Sequence, residues 1–247
     1  MVVLYRNYAN CRTVLIKQSY IADTYPYNTR YIKLFDFCIY LVILTLMVFN
    51  DTMFDRLIIA SKNPGKVTEM QELLHGLAVK LLTYKDINWP NPQETGTTFE
   101  ENAIIKASFV AQSTGIPAIA DDTGLCIDAL NGSPGIYTAR WANDGKDYVT
   151  GIERIQKELA NRPSRATYVS CVAFSIPNGH NYLFMGTLNG KIVLPPQGPI
   201  IGYESIFIPD GMDRTLSALP HDMRMQIHHR TQSIKKFKVF IDSMNAL

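Results

Sequence analysis

One unbroken run constrains this chain more than any other, Glu94–Arg140, ETGTTFEENAIIKASFVAQSTGIPAIADDTGLCIDALNGSPGIYTAR. Its T-F-E-E start predicts a capping box, with the Thr98 hydroxyl at the N-cap and Glu101 at N3. Phe99, Ala103, Ile104, Ala107, Val110 and Ala111 then recur at helical spacing, and Gly115 supplies the stop. Ile116–Ala120 (IPAIA) is short, apolar and turn-bounded, so it reads as a buried strand. Asp121 and Asp122 follow at its carboxyl end, which is where open α/β sheets bind ligands.

Two adjacent carboxylates leaving a buried strand are costly unless a positive group sits near them. A divalent metal held by one or two carboxylates and substrate phosphates answers that need. The plainer reading is that one of them caps the turn at Thr123-Gly124. With Glu94 and Glu101 upstream, the site reading is the one carried forward.

A second unit precedes this run. Leu57–Ala60 (LIIA) reads as a buried strand that enters Ser61-Lys62-Asn63-Pro64-Gly65-Lys66. Asn63 suits an N-cap and Pro64 suits N1. Val67, Met70, Leu73 and Leu74 form one apolar face, and Gly76 closes the helix. Lys66 in the first turn opposes the helix dipole. Ser61, Asn63, the free amides and Lys66 together would hold an anion such as phosphate; an ordinary strand–helix joint with a solvated lysine is the alternative.

Residues 1–52 differ from the rest. They hold seven of the 13 tyrosines and none of the 15 glycines. Phe37–Phe49 is 13 uncharged residues, short of the about 20 that span a bilayer, so a membrane role is not expected. The segment is read as sequence upstream of a true start at Met53, with a weak membrane tether or an added helix as alternatives. The body, 53–247, is then one self-sufficient domain. The net charge of +2 comes from residues 1–52, and a neutral body argues against a nucleic-acid polymer as partner. Four cysteines without paired spacing fit a reducing, cytoplasmic setting.

Further along, Leu125–Leu130 alternates as a strand, and Asp147–Leu159 reads as an amphipathic helix. Two long strand patterns, Ala166–Ile176 and Tyr182–Val193, flank a turn at Asn178-Gly179. Asn189-Gly190 inside the second predicts a bulge or a break. Ile206–Ile208 is a short strand. A final helix carries His228, His229 and Arg230 in its first turns, with one histidine expected packed and one solvated.

These residues, taken together from about Phe54 to Met244, resemble the Ham1-type inosine triphosphate pyrophosphatases. The resemblance is carried by S-x-N-x-G-K at Ser61–Lys66, ETGTTFEENAIIKA at Glu94–Ala107 and PAIADDTGLCIDAL at Pro117–Leu130. G-x-PGIYTARWA at Gly132–Ala142 and His229-Arg230 complete it. It implies a two-lobed α/β fold, with a long twisted mixed β-sheet flanked by helices and a cleft between the lobes, in a homodimer. It also implies Mg²⁺-dependent hydrolysis of ITP, dITP or XTP to the monophosphate and pyrophosphate. Carried over by position, Glu94 and Asp122 would hold the metal. Asp122 would also be base for the attacking water, with Lys66 and Asp121 supporting. Ser61, Lys62, Asn63, Gly65, Lys66 and Thr123 would meet the triphosphate. Ile201, Gly202, Tyr203, Glu204, Arg224, His229 and Arg230 would line the base pocket. Relative to the family pattern, Lys62 replaces a glycine, Ile201 the stacking aromatic, Glu204 an aspartate, Ser205 a proline and Arg224 a lysine. The departures gather at the base pocket, so the resemblance implies the chemistry more firmly than the base preference. A related pyrophosphatase with another base preference, and a nucleotide binder without turnover, are the alternatives.

Overall fold

Alternating apolar runs and capped helices build a mixed sheet with helices on both faces. The computed structural model describes residues 4–5 and 54–245. The segment Phe37–Phe49 lies outside the described residues. The strands are β1 (Leu4–Tyr5), β2 (Arg56–Ile59), β3 (Lys80–Leu82), β4 (Ala118–Ile127), β5 (Arg165–Ser175), β6 (Asn181–Ile192) and β7 (Phe207–Pro209). They form one seven-stranded sheet in the order β1-β6-β5-β4-β2-β3, with β7 also on β6. β3, β2 and β4 run parallel, whereas β4–β5 and β5–β6 are antiparallel.

The helices are α1 (Pro64–Leu73), α2 (Phe99–Thr114), α3 (Thr138–Trp141), α4 (Tyr148–Leu159), α5 (His221–Ile227) and α6 (His229–Asn245). Both expected N-caps form. Asn63 Oδ1 accepts from the amides of Gly65 and Lys66, and Thr98 Oγ1 accepts from the Glu101 amide. The second half of the capping box differs. Glu101 Oε2 accepts from the amide and hydroxyl of Thr97, one residue further out than the box would place it. The last predicted helix is two, because the chain turns at His228 between α5 and α6.

Each face of the sheet carries its own core. On one face α2 buries Ala103, Ala107 and Val110 against Ala118, Ala120 and Cys171. On the other, Val67 and Met70 of α1 and Ile234, Phe237 and Ile241 of α6 pack on Ile119, Val172 and Phe174. A third cluster lies towards the other end of the long strands. There Leu125, Ile127 and Tyr168 meet Ile152, Ile155 and Leu159 of α4. Strands β4 and β5 therefore run through both lobes, and residues 121–124 fall at their junction.

Two expectations about strands are corrected. Ile116–Ala120 and Leu125–Leu130 are not separate strands; β4 is continuous, so Asp121 and Asp122 lie inside a strand, not at its end. What ends there is the neighbour. The last parallel pair is Ile59↔Ile119, after which β2 departs into the Ser61–Asn63 loop and leaves the next stretch of β4 uncovered on that side. Asn189-Gly190 makes no bulge, since β5 and β6 keep one register from Ser175↔Asn181 to Arg165↔Lys191. Gly190 instead admits β7, because a Cβ there would lie 2.3 Å from the Ile208 carbonyl oxygen.

A second close approach positions α6. A Cβ on Gly186 of β6 would lie 2.0 Å from the His229 carbonyl oxygen and 2.7 Å from the Ser233 nitrogen. Gly186→Ala is expected to lower stability by about 1–3 kcal/mol, the usual cost of overpacking. Urea unfolding checks this; an unchanged midpoint would mean that α6 moves aside freely.

Candidate active site

Side chains alternate across a strand, so adjacent residues point to opposite faces. Asp121 therefore shares the α1/α6 face with Ile119, and Asp122 shares the α2 face with Ala118 and Ala120. The two carboxylates read in sequence as a pair belong to different surroundings.

Asp121 is a hub. Its Oδ2 accepts from Lys66 Nζ at 2.9 Å and Arg230 Nε at 3.1 Å. Its Oδ1 accepts from Thr123 Oγ1 at 2.5 Å and Ser170 Oγ at 2.9 Å. Burial alone would raise its pKa, but Arg230, Lys66 and the Thr123 hydroxyl outweigh it and hold the carboxyl well below its ordinary value. Both cations placed against a helix dipole, Lys66 at the start of α1 and Arg230 at the start of α6, thus answer the same anion.

Asp122 sits differently. Lys106 Nζ of α2 donates to its Oδ1 at 2.5 Å, and the same ammonium lies 3.4 Å from Glu94 Oε1. Its Oδ2 is buried without a hydrogen-bond partner. Burial raises the Asp122 pKa, with Lys106 pulling the other way. Lys106 is raised in turn: burial would lower it, but Asp122 and Glu94 prevail. Glu94 and Asp122, expected as metal ligands, are thus brought to one point, and a cationic side chain already sits between them. Hard oxygen donors with one orphaned oxygen fit a divalent cation such as Mg²⁺. No cluster of three metal-ligating side chains forms among the described residues.

The phosphate loop lies at the end of β2. Ser61 Oγ accepts from the Asn63 backbone amide at 3.3 Å, and the Asn63 side-chain oxygen is spent on capping. Gly65 and Lys66 open α1 beside Asp121. Lys62 is turned away: its ammonium donates to the Trp89 carbonyl at 2.7 Å and lies 5.9 Å from that ring's centre. Its ammonium thus faces Trp89, and not Asp121, in this structure.

The base-pocket residues divide. His229 is buried and stacks on Tyr168 at 4.8 Å, and neither of its ring nitrogens has a partner. Burial, then His228 and Arg230, push its pKa well below 6.5, so the ring is neutral. Arg230 also donates to Glu69 through Nη1 and to Thr123 Oγ1 through Nη2 at 3.4 Å. Gly202 adopts a positive φ of 58°, leaving Ile201 exposed. The Tyr203 ring is buried edge-on against Tyr148 at 5.2 Å. His228, expected solvated if His229 were packed, is buried too. Its Nε2 donates to Glu204 Oε1 at 3.2 Å, and its Nδ1 lies 3.2 Å from Glu69 Oε1, close enough to pair but off the line of a hydrogen bond.

Sequence reasoning missed Lys106, Glu69 and His228 as parts of this cluster. Lys106 had a signal, because it interrupts the stripe Phe99, Ala103, Val110 at three- and four-residue steps. Glu69 had none: a glutamate two residues past a buried valine is what any solvated helix face offers.

The chain has relatives among known proteins. A model of the Ham1 family matches residues 57–240. The chain is 38% identical over 199 residues to a dITP/XTP pyrophosphatase of Agrobacterium fabrum, covering 73% of this chain and 93% of that protein. It is 40% identical over 187 residues to a dITP/XTP pyrophosphatase of Rhodospirillum centenum, covering 74% and 92%. The structure of a HAM1 protein from Coxiella burnetii superimposes with a TM-score of 0.71 at 32% identity, covering 77% of this chain and all of that one. The Staphylococcus aureus Ham1 protein gives 0.70 at 34%, covering 76% and 98%.

Proposed function

The chain belongs to the Ham1 family, and from that premise we propose that it hydrolyses noncanonical purine nucleoside triphosphates, ITP, dITP and XTP, to the monophosphate and pyrophosphate. The observation that carries the reading is the split of the aspartate pair. One carboxylate is locked into cations, while the other keeps a buried, unpartnered oxygen and a raised pKa beside Glu94 and Lys106.

In this reading Lys66 and Lys106 bind the phosphate chain and spread its charge. Asp122 Oδ2 takes the proton of a water that attacks the α-phosphorus. The α–β anhydride bond breaks and pyrophosphate leaves. A base whose pKa is lifted towards the working pH suits that transfer. Glu94 and Asp122 would hold Mg²⁺, which supplies charge neutralisation on the phosphates when bound. Asp121 keeps Lys66 and Arg230 in place, and His229 with Arg230 offers donors to the 6-oxo edge of the purine. A site built to pair that edge rejects adenine by leaving its own groups unpaired.

Residues 53–247 are proposed as the catalytic domain, acting in the cytoplasm as a homodimer without membrane attachment. No helix among the described residues is long and apolar enough to cross a membrane. The test is pyrophosphate release by the full-length protein with Mg²⁺ and a panel of ITP, XTP, GTP, ATP and dUTP. Release from ITP and XTP well above the others is expected. Equal release from dUTP would move the base preference elsewhere, and no release from any would leave a binding protein.

A further inference from the structure

Gly186 does more than admit α6. In the register of β5 with β6 it stands directly opposite Ser170, and on the other side Ser170 stands opposite Thr123 of β4. Opposed residues of a sheet share a face. The helix backbone that reaches Gly186 therefore arrives beside Ser170, and it brings Ser233, one turn beyond Arg230, into contact. The two hydroxyl oxygens lie 2.9 Å apart, and both serines are wholly buried. Ser170 Oγ also lies 2.9 Å from Asp121 Oδ1.

Two protons serve three contacts here, because Ser233 Oγ is 2.9 Å from the Arg230 carbonyl as well. Asp121, kept ionised by its cations, can only accept. The Ser170 proton therefore goes to Asp121; turned to Ser233, it would leave oxygen lone pairs facing a carboxylate. The Ser170 oxygen then takes the Ser233 proton. The Arg230 carbonyl, inside α6, can use the helix amide four residues on. The chain thus has one direction, from Ser233 to Ser170 to Asp121.

That direction decides how the cations share Asp121. Thr123 and Ser170 both donate to Oδ1, so Lys66 and Arg230 meet on Oδ2. A guanidinium tends to grip both oxygens of a carboxylate. Arg230 instead makes one bond to Asp121, through Nε, and sends Nη1 to Glu69. With Oδ1 released, the carboxylate is free to turn into the Arg230 fork, and Lys66 loses its share. We infer that Ser170, oriented by Ser233, reserves Asp121 Oδ2 for both cations and so holds the Lys66 ammonium in place for the phosphate chain. Both serines are positioning residues that act through Asp121. The inference rests on the reading of Lys66 as a phosphate ligand.

The experiment measures kcat and KM for ITP in the full-length protein, Ser170→Ala, Ser233→Ala and the double variant. Ser170→Ala should raise KM about tenfold, the scale of one hydrogen bond to a charged group, with kcat within about twofold. Ser233→Ala should raise KM about threefold, because Ser170 keeps its own proton but loses the donor that orients it. The double variant should match Ser170→Ala alone, as members of one chain do. A KM unmoved by Ser170→Ala, with only the urea midpoint lowered, makes the serines packing alone and overturns the inference. So does a double variant in which the two increases multiply. Should Ser170→Ala fail to fold, Ser233→Ala decides alone: a threefold rise supports the chain and an unchanged KM refutes it. If the wild type releases no pyrophosphate from ITP, the pyrophosphatase reading is what fails. Acetylation of Lys66, 29% exposed, by an N-hydroxysuccinimide ester then reads the chain by peptide mass spectrometry. A several-fold faster rate in Ser170→Ala supports it, and an equal rate refutes it.

Discussion

Replacing Asp122 by Asn is expected to lower kcat for ITP by about 10²–10⁴-fold, the range a positioned general base supplies. The reason is local. Asn keeps the size and one accepting oxygen for Lys106 but has no oxygen able to take a proton where Asp122 Oδ2 is buried and unpartnered. Because Lys66 and the start of α1 lie on the other face of β4, nucleotide affinity should fall far less than turnover. Calorimetry with ITP and Mg²⁺, beside a pyrophosphate assay, separates the two. Turnover within about tenfold of the wild type would remove Asp122 as the base. A parallel collapse of binding would instead make its main role that of a ligand for the cation.

Asp121→Asn should act on stability first. It leaves Arg230, almost wholly buried, and the partly buried Lys66 without the anion that both bond. Breaking a buried pair in this way costs about 3–5 kcal/mol, much more than a surface bridge, since the stranded charge stays desolvated. The pH dependence carries a sign. The Asp121 pKa is lower in the folded protein than its ordinary 3.8, so the unfolded chain binds the proton more readily. Its contribution is therefore full above about 3.8 and is lost as pH falls from there through the folded value. Denaturant unfolding of both proteins should show a constant gap from pH 7 to about pH 5, closing in stronger acid. A gap below about 1 kcal/mol at pH 7 would mean that Glu69 alone satisfies Arg230.

Much of this was legible in the chain itself. Local chemistry decides caps and periods, so Asn63, Thr98 and Gly115 announced α1 and α2, and the long alternating runs announced β5 and β6. The motifs around Ser61–Lys66, Glu94–Ala107 and Pro117–Leu130 announced the family, because its sequence patterns are contiguous. Other features were visible only as anomalies. Lys66 and Arg230 each offended a helix dipole, and both offences end on Asp121.

What only the tertiary structure decided is which groups meet across distance. Sequence placed Asp121 and Asp122 side by side; the two-residue period of a continuous strand sends one to α1 and α6 and the other to α2, which divides support from chemistry. It also drew Lys106 between Glu94 and Asp122, turned Lys62 to Trp89, and stretched His228 between Glu69 and Glu204. The division of the aspartates depends on the register of β4 in the sheet. A one-residue slip would exchange the faces of both aspartates, so the composition of the site is written in the chain, but its charge balance is set by the fold.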